Sequence, residues 1–162
     1  MLAGPKPTHA DSNATAHAKT IEALYELHCW DADTTTPLTD EAKDILTDLA
    51  WSNDGSSDDA FQDAVTEYAQ GIPLTVMVRS DWQPVSHGGG NSFQAQEFEL
   101  LLSTGGPACR VIGELDGGTV AWQSGCRPTI QQQDWHTPWT DSTYNVDTNA
   151  LLWFCEQFYF GE

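Results

Sequence analysis

The apolar residues of the chain change period near its middle. From Lys19 to His28 they recur at helical spacing, with Ile21, Leu24, Tyr25 and His28 on one face, and the pattern stops near Cys29-Trp30. Residues 31–37 form a loop, after which Thr39 stands as an N-cap ahead of Asp40 and Glu41, whose charge suits the positive end of a helix. Ala42, Ile45, Leu46 and Leu49 supply the buried stripe of that second helix, which reaches Ala50 or Trp51. Turn residues 52–57 follow, and Ser57 caps a third helix with Phe61, Ala64, Val65 and Tyr68 inward and Gly71 and Pro73 as its stop.

Beyond Pro73 the period becomes two. Leu74–Val78 is a β-branched strand, and residues 81–91 an exposed loop. Gln94–Asp116 is a hairpin around Ser103-Thr104-Gly105-Gly106-Pro107, with Phe98, Leu100 and Leu102 on one face, Glu97, Glu99 and Leu101 on the other, and Cys109–Leu115 as its second arm. Asp116-Gly117-Gly118 turns tightly into Thr119–Gln123, and Thr129–Gln133 is the last strand. Asn149–Phe160 closes the chain as a helix with Leu151, Phe154, Cys155 and Phe158 at helical spacing. Residues 1–18, with two prolines and no periodicity, are expected to be a disordered arm. Helices first and strands later imply an α+β fold rather than an alternating α/β one. The expectation is a single domain over residues 19–162: three N-terminal helices, an antiparallel sheet of four to five strands, and a C-terminal helix packed on the sheet.

Composition agrees with one domain. A chain of 162 residues that is 40% hydrophobic, with seven Trp, can bury a core without staples. No run approaches the roughly 18 apolar residues of a membrane span, and residues 1–18 lack the apolar core of a signal peptide, so a soluble, cytoplasmic protein is expected. Cys29, Cys109, Cys126 and Cys155 are far apart in sequence and contain no CxxC pair. They read as four separate, mostly buried thiols, with neither a metal nor another cofactor implied.

Charge alters the picture most. There are 24 Asp and Glu against 6 Lys and Arg, a net charge of −18 and a pI near 4.2. Such a field repels nucleic acid and anionic membranes and attracts basic protein surfaces. Its placement is ordered: Glu22 and Glu26 on the first helix, Asp40, Asp44 and Asp48 on the second, and Asp59, Asp63 and Glu67 on the third all stand four residues apart. Each like-charged pair costs roughly 0.2–0.5 kcal/mol. Carboxylates at that interval rise about 6 Å apart along a helix, comparable with phosphates along a nucleic-acid strand. Two readings compete. One is a phosphate-backbone mimic that docks on Lys/Arg grooves, with Asp40, Asp44, Asp48, Asp54, Asp58, Asp59, Asp63 and Glu67 as contact residues. The other is a salt-adapted acidic domain, in its enzyme form with a site near Asp134 and His136, where an acid could orient an imidazole.

Other chemistry is weaker. His87-Gly88-Gly89-Gly90-Asn91 lacks the lysine and following helix of a phosphate loop, and Gly105-Gly106 is better explained by a turn needing positive φ. No nucleophile is marked beside Asp134 and His136, and Glu97 and Glu99 read as solvent-facing strand positions.

Three stretches carry a family likeness: Arg79-Ser80-Asp81-Trp82, then Glu97–Asp116, then Gln133-Asp134-Trp135-His136-Thr137-Pro138-Trp139-Thr140. In these the chain resembles small accessory proteins of bacterial plasmids, phages and integrative elements, a group that includes antirestriction and anti-CRISPR inhibitors. The resemblance covers only the second half of the chain. It implies a non-enzymatic inhibitor of a basic nucleic-acid-binding protein or CRISPR effector complex, and supplies no catalytic residue.

Overall fold

A computed structural model of the protein describes residues 6–30, 36–50, 57–80, 94–123 and 125–161. Among these residues four helices, α1 (His9–His28), α2 (Asp40–Asp48), α3 (Asp58–Gln70) and α4 (Thr148–Glu156), accompany six strands: β1 (Thr75–Arg79), β2 (Glu97–Ser103), β3 (Ala108–Asp116), β4 (Thr119–Val120), β5 (Thr129–Gln133) and β6 (Thr140–Asp141). The sheet is antiparallel in the order β1-β2-β3-β5-β6, with β4 paired to β3. The fold is α+β, with three helices before the sheet and one after it.

Helix α1 corrects the expectation of a disordered arm over residues 1–18. It begins at His9, ten residues before the apolar periodicity is legible, and residues 1–5 lie outside the described residues. Thr8 caps it through its side chain to the Asp11 N–H, while the Asp11 carboxylate reaches back to the Thr8 N–H at 2.9 Å, so two donors at the helix start are satisfied reciprocally. The buried stripe of this half is Ala10, Ala14 and Ala18, continued by Ile21, Leu24 and Leu27. His28, expected inward, is exposed, although its ring stacks on Trp153 at 4.9 Å.

α1 is the hub of the helical layer. It packs against α2, α3 and α4 and against β3 and β5, and the core lies between this layer and one face of the sheet. Phe98, Leu100 and Leu102 of β2, Val111 of β3 and Ile130 of β5 project into it. Thr39 and Ser57 cap α2 and α3 as the sequence indicates. α2 ends at Asp48, where Ala50 turns to φ 49°.

The turn Asp116-Gly117-Gly118 forms as expected, both glycines having positive φ, and Gly105 has φ 107°. Gly113 is glycine for a different reason: the Phe98 ring occupies the place of a Cβ, 2.5 Å away. β4 is shorter than its apolar run, and β6 carries no strand signal in the sequence. α4 starts from the cap Asp147 and ends before Phe158. Phe160 beyond it is buried against Phe98, with ring centroids 4.5 Å apart. All four cysteines are free; Cys109 and Cys155 are buried, but Cys29 is exposed and Cys126 half-buried, which corrects the expectation of mostly buried thiols. No described helix is long and apolar enough to cross a membrane.

Candidate functional site

The acidic helices are held by specific contacts with α1 and α4. Glu26 of α1 accepts from the Thr39 N–H at 3.0 Å and from the Thr39 hydroxyl at 2.6 Å, fixing the start of α2, and Lys19 lies 3.7 Å from Glu41. His28 and Gln62 bond reciprocally between α1 and α3, with Nδ1 to Oε1 at 2.8 Å and Gln62 Nε2 donating to the His28 carbonyl at 3.0 Å. At its far end α3 is tied to the residues after α4, Gln70 donating to the Gln157 carbonyl at 2.9 Å.

On this scaffold Asp40, Asp44 and Asp48 of α2 and Asp58, Asp59, Asp63 and Glu67 of α3 are all exposed. Asp54 lies outside the described residues. The two ridges meet where Asp48 hydrogen-bonds Tyr68 of α3; burial, with this carboxylate, raises the phenol's pKa. Asp40 is paired with Lys43 at 3.1 Å, so this acid of the α2 ridge has a basic partner. The other six make no ion pair among the described residues.

The third expected ridge does not exist as a free surface. Glu26 is consumed by Thr39, and Glu22 accepts from the Tyr144 hydroxyl at 2.7 Å and the Asp147 N–H at 2.8 Å, so these two acids of α1 join elements together. The hydrogen bond that Tyr144 donates to Glu22 raises the phenol's pKa in turn.

A second feature escaped the sequence reading. All three arginines of the chain, Arg79, Arg110 and Arg127, line one cavity of about 450 Å³ on the sheet face turned away from the helices. Arg79 pairs with Glu97 across β1 and β2. Arg110 donates to Glu99 at 2.6 Å, to Gln131 at 2.8 and 3.1 Å, and lies 4.2 Å from the centre of the Trp139 ring, so each of its three nitrogens is engaged. Arg127 makes no ion pair among the described residues. Cys126 donates to Glu114 at 2.9 Å, and that bond is the main cause of its raised pKa. Glu97 and Glu99 are therefore ion-paired partners rather than simple solvent-facing positions. The period-two alternation places them on the outer face; only the strand register brings arginines beside them.

At the aromatic segment, the Asp134 carboxylate accepts from the Trp135 N–H at 3.1 Å, and Thr137 bonds the Asp134 backbone. Trp135 donates from its indole to the Gly106 carbonyl at 3.0 Å, and a Cβ on Gly106 would collide with that ring at 2.1 Å. Asp134 thus shapes a turn, with His136 exposed at φ 59°. The buried thiols are pushed away from reactivity by desolvation, Cys109 up to about 12 and Cys155 higher. Among the described residues no three His, Cys, Asp or Glu gather as metal ligands.

Fold and surface together define an acidic two-layer α+β protein, with carboxylates exposed on its helices and arginines gathered on its open sheet face. No protein-family model, no curated protein and no solved structure matches the chain.

Proposed function

We propose that the protein is an anti-defence inhibitor of the anti-CRISPR or antirestriction kind. It acts in the cytoplasm without catalysis, occupying the basic nucleic-acid groove of an effector with the acidic surface of α2 and α3. The observation that carries this reading is the row of six exposed carboxylates, Asp44, Asp48, Asp58, Asp59, Asp63 and Glu67, which no ion pair neutralises among the described residues. Side chains that repel one another lower the stability of their own helices, and a groove of Lys and Arg would turn that loss into attraction. The same field opposes direct binding to DNA or RNA. The likeness of the second half to accessory proteins of mobile elements points the same way.

The test is charge reversal at two places on the surface with the same change in net charge. Asp63→Lys with Glu67→Lys should abolish protection of an incoming phage or plasmid in hosts carrying CRISPR or restriction systems. Asp116→Lys with Glu156→Lys, which changes total charge equally at exposed positions elsewhere, should retain it. Circular dichroism shows whether both variants fold. Undiminished protection by a folded Asp63/Glu67 variant would overturn the proposal.

A further inference from the structure

Strand β1 is an edge strand of the sheet. Among the described residues it pairs with β2 alone. Leu74, Val76 and Met77, three of the six large apolar side chains that stand most exposed among the described residues, lie on or beside it, at 58, 43 and 57% exposure. Val76 and Met77 point to opposite faces of the sheet, so neither the helical layer nor the outer face covers this border. Natural sheets guard such edges with lysine, an internal proline or a bulge. The sequence Thr-Val-Met-Val-Arg has none of these, and its register with β2 is unbroken from Thr75 to Arg79.

We infer that β1 is a self-association seam, at which a second copy of the chain adds its own β1 antiparallel across a twofold axis through Met77. The strand is complementary to itself in that register. Val76 meets Val78 of the other copy on the helical face, Met77 meets Met77 on the outer face, and Thr75 meets Arg79, so no like charges stand opposite. Charge also favours this border in a molecule of net −18. β1 contains no acid, and its one charge, Arg79, is already paired with Glu97. A partner with basic chemistry would find nothing here to attract it, whereas an apolar strand would. The result is one continuous sheet spanning both copies, with the acidic helices of each left uncovered. A five-residue seam is small beside the roughly 1,200–2,000 Å² of stable interfaces, so the dimer is weak and reversible. Because two strongly acidic copies repel, salt strengthens it.

Sedimentation velocity of the full chain tests this. A concentration-dependent dimer is expected that increases from about 0.05 to about 1 M KCl as screening lengthens its lifetime. Met77→Lys, at an exposed position, should weaken association at least tenfold while leaving the melting temperature within a few degrees. Register is tested separately, with Cys29 and Cys126 replaced by Ser: Met77→Cys should form an intermolecular disulfide on oxidation, because facing residues bring Cα atoms within about 5.5 Å. Leu74→Cys should not, being displaced from its own copy by roughly 20 Å along the strands. A monomer at all concentrations and salts overturns the inference. So does a dimer unaffected by Met77→Lys, or equal crosslinking at both positions. A monomer whose β1 variants lose effector binding assigns the edge to that effector and also overturns it.

Discussion

Arg110 shows how much one side chain can join. Its guanidinium holds Glu99 of β2 and Gln131 of β5 from its place on β3 and stacks over Trp139, so it ties three strands and the aromatic segment on the outer face. Lysine cannot reproduce a planar fork with several fixed donors. Arg110→Lys should therefore lower stability by about 1–2 kcal/mol in chemical denaturation, with the charge unchanged. Asp11 plays the corresponding part on α1. It accepts from Gln132 at 2.6 Å, from Thr8 and from Thr143, and these hydrogen bonds, that to Gln132 foremost, lower its pKa from 3.8 to about 2. A lowered folded-state pKa means that the unfolded chain binds the proton first as pH falls. The stability it contributes is present above pH 3.8 and disappears as pH falls toward 2. The stability gap between the wild type and Asp11→Asn, measured by urea unfolding, should be constant above that range and close within it.

At the scale of elements, α1 separates what periodicity reveals from what it hides. Ile21 and Leu24 announce the second half of the helix, but the first half is buried through Ala10, Ala14 and Ala18, whose small side chains give little hydrophobic signal. Two cues were available: alanines at intervals of four, and a Thr8-Asp11 pair with capping-box spacing. The rest of that segment's helicity comes from distant partners, such as Asn13 donating to Ser103 at 2.8 Å. Deleting residues 1–18 should consequently cost more than about 3 kcal/mol, from three buried methyl groups and the lost cap, and in thermal melts should leave little folded protein. A disordered arm could be removed without effect. α2 and α3 were legible apart from the C-terminal end of α2, because their caps and their apolar stripes, Ala42 and Ile45 or Phe61 and Val65, are local. β6 was not legible, since Thr140 and Asp141 become a strand only by pairing with Gln132 and Gln131.

The molecule as a whole is polarised, with acidic helices on one side of the core and all three arginines on the other. The like-charged pairs Asp40–Asp44, Asp44–Asp48, Asp59–Asp63 and Asp63–Glu67 together oppose folding by about 1–2 kcal/mol at low ionic strength. Raising KCl to about 1 M should recover roughly that amount in unfolding free energy, with a cooperative fold already present at about 0.02 M. A protein unfolded at low salt and rescued by far more than this would instead be the salt-adapted domain of the competing reading.

By itself the sequence determined the fold class, the two caps, the central hairpin and the net charge, because these follow from spacing and composition within a few residues of each site. Only the tertiary structure decided what the charges do. Glu22 meets Tyr144 across 122 positions, Gln132 meets Asp11 across 121, and Arg110 meets Glu99 and Gln131 through strand register. Whether a carboxylate remains free for a partner or binds its own fold depends on such distant neighbours. The periodicity of the chain places Glu22 and Glu26 on the same kind of ridge as Asp59 and Asp63; packing alone engages the first pair in hydrogen bonds within the fold and leaves the second exposed without an ion pair among the described residues.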